Sequence, residues 1–325
     1  MTDQNHILYA LKFTMDGAAS PLEGQAISDC IKSHDLAWVH LDGKHTHTKS
    51  WIKEEIDYLD DIIIDALIAE ETRPRIVEFE EGVLLILRGV NLNENADPED
   101  MISIRIWIDP YRIITIERRP LKATRDIHAR LQEGKGPQNI AEFIVQLSSR
   151  LFERMEPVLA ELDERTDATE EKIIDEPSTE HRAEIINIRK KAIIYRRYIA
   201  PQRDVISHLR NAEFTWLEQK HKRGLQESLD RLTRYVEDLD AIRERAQVIK
   251  DELANALADR LNKNMYILSV IAAIFLPLGF LTGLLGINVG GIPGSDNPSA
   301  FLIFSSGLIS IVIIQIIIFK KLKWF

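Results

Sequence analysis

The tripeptide Gly286-Ile287-Asn288 closes one long apolar run and opens the short link to a second. An asparagine carboxamide carries an acceptor oxygen and N–H donors but no charge. Amide and backbone oxygens at such a place suit an ion that keeps its waters, as magnesium usually does. Zinc held directly asks instead for imidazole, thiolate or carboxylate. Between Asn264 and Phe319 there is no Cys, His or Glu, and the single Asp, Asp296, stands in the link. These residues argue against a dehydrated zinc path. A ring of Asn288 side chains could accept hydrogen bonds from a hydrated divalent cation, with selection resting on ring size and dipole orientation. Two apolar runs per chain cannot enclose a pore, so this chemistry requires a symmetric oligomer.

The elements that must position Asn288 are the apolar runs themselves. Asn264 to Ser295 is uncharged, and so is Asn297 to Phe319. Each contains an apolar block of roughly 20 residues, the length that crosses about 30 Å of hydrocarbon. They are expected to be transmembrane helices over 264–285 and 299–319; the alternative is a pair of buried helices in a large soluble core. Arg260 and Lys263 precede the first, Lys320, Lys321 and Lys323 follow the second, and only Asp296 charges the link. By the positive-inside rule both chain ends are cytoplasmic and the link faces outward. Tyr266, Trp324 and Phe325 suit the membrane interfaces, and Asn297-Pro298 suits the start of the second helix, a capping side chain followed by proline. Along the first span Asn262, Met265, Ser269, Ala272, Leu276, Gly279, Gly283 and Asn288 fall in or near one stripe, with bulky Ile267, Ile271, Ile274 and Phe275 elsewhere. Small residues on a membrane helix also serve close helix packing. The second span is nearly uniform Ile, Leu and Phe, with Gln315 its main polar exception, and reads as the outer, lipid-facing helix.

The rest of the chain is large and polar. Its 325 residues suggest about two parts, and 51 acidic residues against 41 basic ones give a net charge of −10. That balance argues against nucleic acid as a partner and is compatible with cations. The single cysteine, Cys30, excludes an internal disulfide. The N-terminus lacks the basic and apolar regions of a secretory signal, so insertion rests on the C-terminal spans. Strands are expected at Ile7–Phe13, Trp38–Leu41, Ile76–Phe79, Val83–Val90, Ile102–Ile108 and Arg112–Glu117, and helices near Gln25–Lys32, Thr48–Leu59, Ile62–Glu70 and Lys122–Leu131. Hairpins mixed with helices indicate an α/β domain with a mixed sheet over 1–137. Helices follow over 138–263: one about 138–174 with Pro157 as a kink, and one about Thr179–Arg210 bent near Pro201. Apolar residues then recur at 225, 229, 232, 236, 239, 242, 246, 249, 253, 257 and 261, in steps of three and four. The rhythm continues into the first span, so one helix is expected from about 225 to 285, close to about 90 Å long. It reads as a coiled-coil stalk able to transmit a cytoplasmic event to the span. Its acidic face, Glu227, Asp230, Glu237, Asp238, Asp240, Glu244, Asp251 and Glu252, fits a solvated surface with paired charges or weak cation binding.

Several stretches resemble the CorA family of divalent-cation transporters. They are Ile274-Phe275-Leu276-Pro277-Leu278, then Gly283-Leu284-Leu285-Gly286-Ile287-Asn288, and the closing Phe319-Lys320-Lys321-Leu322-Lys323-Trp324. The family's usual Gly-Met-Asn is Gly-Ile-Asn here, and its Met-Pro-Glu link is replaced by Gly290-Gly291-Ile292-Pro293-Gly294. That variant resembles the zinc-transporting ZntB branch, as do Ala69-Glu70-Glu71-Thr72-Arg73-Pro74-Arg75 and Leu87-Arg88-Gly89-Val90-Asn91-Leu92-Asn93. The resemblance implies a funnel-shaped homopentamer in the inner membrane. In it Asn262, Met265, Leu268, Ala272, Leu276, Gly279 and Gly283 line the pore. Gly286, Ile287 and Asn288 form the selectivity signature in the 286–298 external loop, Asn288 meeting the metal through its hydrating waters. Residues 299–319 surround the pore, and 320–325 form a basic cytoplasmic tail. The missing acid after Pro293 leaves cation attraction at the mouth to Asp296 or the loop carbonyls.

Three functions stay open on these residues: a hydrated-cation transporter for zinc, the same pore carrying magnesium or cobalt, and a non-conducting membrane-anchored coiled-coil scaffold. No nucleophile–base set or phosphate loop stands out, so neither an enzyme nor a cofactor is expected. Cytoplasmic metal ligands are not identified; Glu70, Glu71, Asp60, Asp61, His40, His45 and His47 are candidates, each equally explained by solvation.

Overall fold

Alternating and continuous apolar runs divide the polar part of the chain between strands and covering helices. The computed structural model describes residues 5–14, 18–287, 292, 294 and 296–321. The strands are β1 (Ile7–Phe13), β2 (Ala19–Pro21), β3 (Ala37–Asp42), β4 (Arg75–Glu78), β5 (Val83–Gly89), β6 (Ile102–Asp109) and β7 (Arg112–Glu117). They form one sheet in the order β2-β1-β3-β7-β6-β5-β4. Only β3 and β7 run parallel and the other neighbours antiparallel, the mixed sheet expected from sequence. β2 was not foreseen. It is a three-residue edge strand ending in Pro21, a length without periodicity and a residue that only an edge accepts.

Helices cover both faces, which explains why β5 and β6 are buried almost throughout. On one face α1 (Gln25–Lys32), α2 (Thr48–Glu55) and α3 (Asp61–Ile68) bring Ile31, Ile52, Ile64 and Leu67 against Val39, Leu41, Ile86 and Trp107. The other face carries Trp38, whose ring meets Phe143 of α5 edge-on at 4.9 Å. There α4 (Lys122–Gln132) and α5 (Ile140–Glu153) supply the cover.

The helix expected over 138–174 is two helices. α5 ends at Glu153 and α6 (Glu156–Asp175) follows after Arg154-Met155. Pro157 therefore occupies the first turn of α6, where its missing N–H costs nothing, and kinks no interior. At its start, α5 is capped by Asn139, whose side chain accepts from Glu142 N at 2.9 Å. α7 (His181–Asn211) carries Pro201 inside it. α7 is tied to the sheet by the Gln202 carboxamide, which accepts from Arg88 N at 2.6 Å and donates to Arg88 O at 3.1 Å, and by His208, whose Nε2 lies 2.7 Å from Glu78 Oε1 of β4.

α8 runs from Gln219 to Leu285 without interruption, starting before Gly224 rather than after it. Gly224 is admitted because α8 there lies against α5: a Cβ would sit 2.6 Å from Val145 Cγ1. Of the expected stripe, Leu225, Leu232, Val236, Leu239, Ile242, Ala246, Ile249 and Leu253 are buried, Leu229 and Leu257 are half-buried, and Leu261 is 64% exposed. Tyr235 of α8 donates to Phe152 O at 3.2 Å, and Arg245 binds Asp167 and Glu170 of α6. On the acidic face Asp240 pairs with Arg196 of α7 at 2.7 Å and with Arg243 at 3.2 Å, the paired charges expected there. The chain forms two compact units, Met1–Lys250 and Asp251–Phe325. The second holds the rest of α8 and α9 (Ala300–Lys321).

Candidate functional site

In the second unit, α8 from Asn264 onward and α9 are apolar and long enough to cross a membrane. The two faces of α8 differ. Val270 is buried, and Ala273, Ile274 and Leu281 are partly covered. The stripe singled out from sequence lies on the other side, about 100° of rotation per residue placing Met265, Ala272, Leu276, Gly279 and Gly283 together. Met265 and Leu268 are each 67% exposed and Leu276 71% exposed. A Cβ added at Gly279 or Gly283 would meet nothing within 4 Å. Asn262 is exposed as well, and Ala272 is intermediate. The single chain therefore leaves this face uncovered, together with the bulky Phe275 and Phe280 beside it, 66% and 68% exposed.

Pro277 sets the geometry between α8 and α9. Without an N–H, it leaves the carbonyl four residues earlier, Ala273 O, with no helical donor. That oxygen instead accepts from Gln315 Nε2 of α9 at 3.2 Å. The one conspicuous polar side chain of the second span is thus a partner for backbone freed by proline, not a lipid-facing exception. Sequence held the signal: a proline within an apolar helix, and one amide in its neighbour.

At the end of α8, Gly286 N donates to Thr282 O at 2.9 Å and to Gly283 O at 3.2 Å. A Cβ at Gly286 would stand 2.7 Å from Thr282 O, so this close turn admits only glycine. Ile287 is exposed. Asn288, on which the sequence reading centres, lies outside the described residues, as do 289–291, 293 and 295 of the link and 322–325 of the tail. α9 begins at Ala300, so Ser299 holds the cap position and Asn297-Pro298 lie before it, a correction to the expected cap; Asn297 accepts from Ser299 N at 3.0 Å in the turn that leads into the helix.

The acidic and histidine candidates of the first unit are dispersed. Asp60 caps α3, accepting from Ile63 N at 3.0 Å, and Asp61 pairs with Lys53. Glu70 pairs with Arg118 at 2.8 Å. His45 and His47 rings lie 5.3 Å apart, with His6 5.7 Å from His45. Among the described residues no group of three His, Cys, Asp or Glu is arranged to hold a metal. His40 is fully buried in β3. Its Nδ1 lies 2.7 Å from the Thr115 hydroxyl and its Nε2 lies 3.3 Å from Glu117 Oε2. Glu117 Oε2 also accepts from Leu121 N at 3.0 Å, anchoring the start of α4.

Tyr9 stacks on His40 and on His128 of α4, at 4.6 and 4.4 Å. Burial, and then the nearby His40, hold the His128 imidazole below its usual range; burial and then Lys220 do the same at His221. Groups depressed in this way are neutral in the fold, and their protonation favours the unfolded chain. The melting temperature of the solubilised protein is expected to fall as pH drops from about 6.5 towards 5. Replacing both with asparagine should flatten that slope; an unchanged slope would mean that other groups carry it.

The family described as "CorA-like Mg2+ transporter protein" matches residues 33–321. A relative from Pseudomonas aeruginosa, "Divalent cation transporter CmaX", is 36% identical over 301 residues, covering 92% of this chain and 90% of its own. "Zinc transport protein ZntB" from Pectobacterium atrosepticum is 34% identical over 317 residues, covering 98% and 95%. The structure of full-length CmaX superposes with a TM-score of 0.83 at 33% identity, covering 98% of both chains. The CorA magnesium transporter from Methanocaldococcus jannaschii gives 0.80 at 18% identity, a likeness of fold alone.

Proposed function

The chain belongs to the CorA family of divalent-cation transporters, and from that premise we propose that it carries hydrated zinc across the inner membrane as a homopentamer. It is a transporter rather than an enzyme. The observation that supports the reading is that α9 covers only part of α8 around Val270, so that Asn262, Met265, Leu268, Leu276, Gly279 and Gly283, with the half-covered Ala272 and exposed bulky neighbours such as Phe275 and Phe280, are left for other copies and a water path. Gly286 and Ile287 then bring Asn288 to the mouth of the path, where its carboxamide meets the ion through hydrating waters. We place both chain ends in the cytoplasm, since Arg260, Lys263, Lys320 and Lys321 flank the apolar stretches and the link carries Asp296. In this arrangement residues 1–137 and 138–263 are cytoplasmic, 264–285 and 299–319 span, and 286–298 face outward.

Zinc is favoured over magnesium and cobalt by relatives that carry a zinc-transport name over 98% of this chain. Magnesium stays the second reading, because amide oxygens are not zinc ligands and suit a hydrated magnesium ion equally. Purified protein in liposomes containing a zinc-sensitive dye decides the matter. Dye response above that of empty liposomes, little altered by excess magnesium, is expected. No flux of any divalent ion would defeat the transport reading, and zinc flux abolished by magnesium would transfer it to the second ion.

A further inference from the structure

The stretches Ala69–Arg75 and Leu87–Asn93 have no place in the pore, and the fold brings them together. Glu70, Glu71, Thr72, Arg73 and Arg88 line a cleft of about 540 Å³, closed by Asp100, Arg119 and, from α7, Arg197 and Tyr198. A volume in this range accommodates a small-molecule ligand. Its charges are not balanced within it. Asp100 is held by both terminal nitrogens of Arg119, and Glu70 by Arg118. The lining holds Arg73, Arg88, Arg119 and Arg197 against Glu70, Glu71 and Asp100; Arg73 and Arg197 form no ion pair among the described residues, and Arg88 has Asp100 nearby but not as an ion-pair partner. This surplus of positive charge stands in a chain whose net charge is −10.

Arg88 is held firmly in the wall of the cleft, whereas Arg73 and Arg197 are exposed at its rim. Arg88 Nε and Nη2 donate to Thr72 O at 3.2 and 2.7 Å, and Nη1 donates to Met101 O at 2.8 Å. Its guanidinium lies 4.2 Å from the centroid of the Tyr198 ring, and that of Arg197 lies 4.7 Å from the same ring. Behind the cleft Arg105 is buried among carbonyls, donating to Ala69 O and Glu70 O, with no carboxylate partner among the described residues. Burial, with the nearby Arg118 and Arg88, pushes Arg105 down to about 10. The Thr72 hydroxyl, also at the cleft, is buried without a hydrogen-bond partner among the described residues. Planar guanidiniums and a free hydroxyl are the groups that recognise phosphate oxygens.

We infer that this cleft is a binding site for a small phosphate-bearing anion, which bridges α7 to the Ala69–Arg75 segment through Arg197 and Arg73. The site is independent of which ion the spans carry. Calorimetry of the purified full chain, in EDTA so that no divalent metal contributes, tests it with sodium pyrophosphate and with ADP. Saturable binding of at least one probe is expected, and Arg73→Gln with Arg197→Gln should weaken it at least about tenfold, as for loss of charge-assisted hydrogen bonds. The unfolding temperature should be unchanged, since both arginines are exposed. Tighter binding of ADP would name a nucleotide as the source, and equal binding a free phosphate compound. Absence of saturable heat from both probes, or full affinity in the double variant, would overturn the assignment. Zinc flux is read separately, so the failure of either idea leaves the other standing.

Discussion

Gly283→Leu is expected to reduce divalent-cation flux at least about tenfold while the protein still folds and assembles, because apolar bulk added around a narrow water path closes it by dewetting. The single chain has room for that side chain, since nothing lies within 4 Å of a Cβ at Gly283. Gly307 on α9 provides the comparison, being equally open in the fold but off the stripe. Gly307→Leu should leave flux near the starting value. Size-exclusion chromatography on both variants separates a blocked path from failed helix packing, the other service small residues perform in membranes. If the two leucines have the same effect on flux with assembly intact, the stripe does not line the path.

Gln315→Leu should destabilise the second unit by about 1–3 kcal/mol, the cost of leaving a buried acceptor without its hydrogen bond. The acceptor is Ala273 O, which Pro277 deprives of a helical donor and Gln315 Nε2 serves at 3.2 Å. In lipid no water replaces the lost partner. The cause can be isolated by adding Pro277→Ala, which returns an N–H to the helix and lets Ala273 O bond within α8. In that background Gln315→Leu should cost little, so the two changes are strongly non-additive. Unfolding in mixed micelles measures both steps. An equal cost with and without Pro277 would show that Gln315 contributes through packing instead.

Much of the architecture was readable from period alone. Uncharged runs of the right length marked the two long apolar helices, and segments rich in Ile, Val and Leu such as Arg112–Glu117 placed strands where they are found. The long helix was legible because Leu232, Leu239, Ala246 and Leu253 repeat at one helical face, and that face is buried. The errors fell where period gives no information. The break at Arg154-Met155 has neither glycine nor proline, and the proline that follows opens α6 instead of bending a helix. β2 is too short for any pattern. The stripe of the candidate site stays a proposal, since residues off it such as Phe275 and Phe280 are as exposed as those on it, and Asn288 itself lies outside the described residues.

What the sequence determined by itself is which surfaces of each element are apolar, because burial acts on residues at fixed spacing along a helix or strand. What covers those surfaces, and which polar groups meet, was decided by the tertiary structure. Gln315 finds Ala273 O across 42 positions, His40 finds Glu117, and α7 brings Arg197 and Tyr198 to the segments around Thr72 and Arg88. Such pairings satisfy hydrogen-bonding groups that are removed from water, and the partner is whichever group the packing places within reach. No local pattern encodes that distance, so these sites emerge only when the chain is folded.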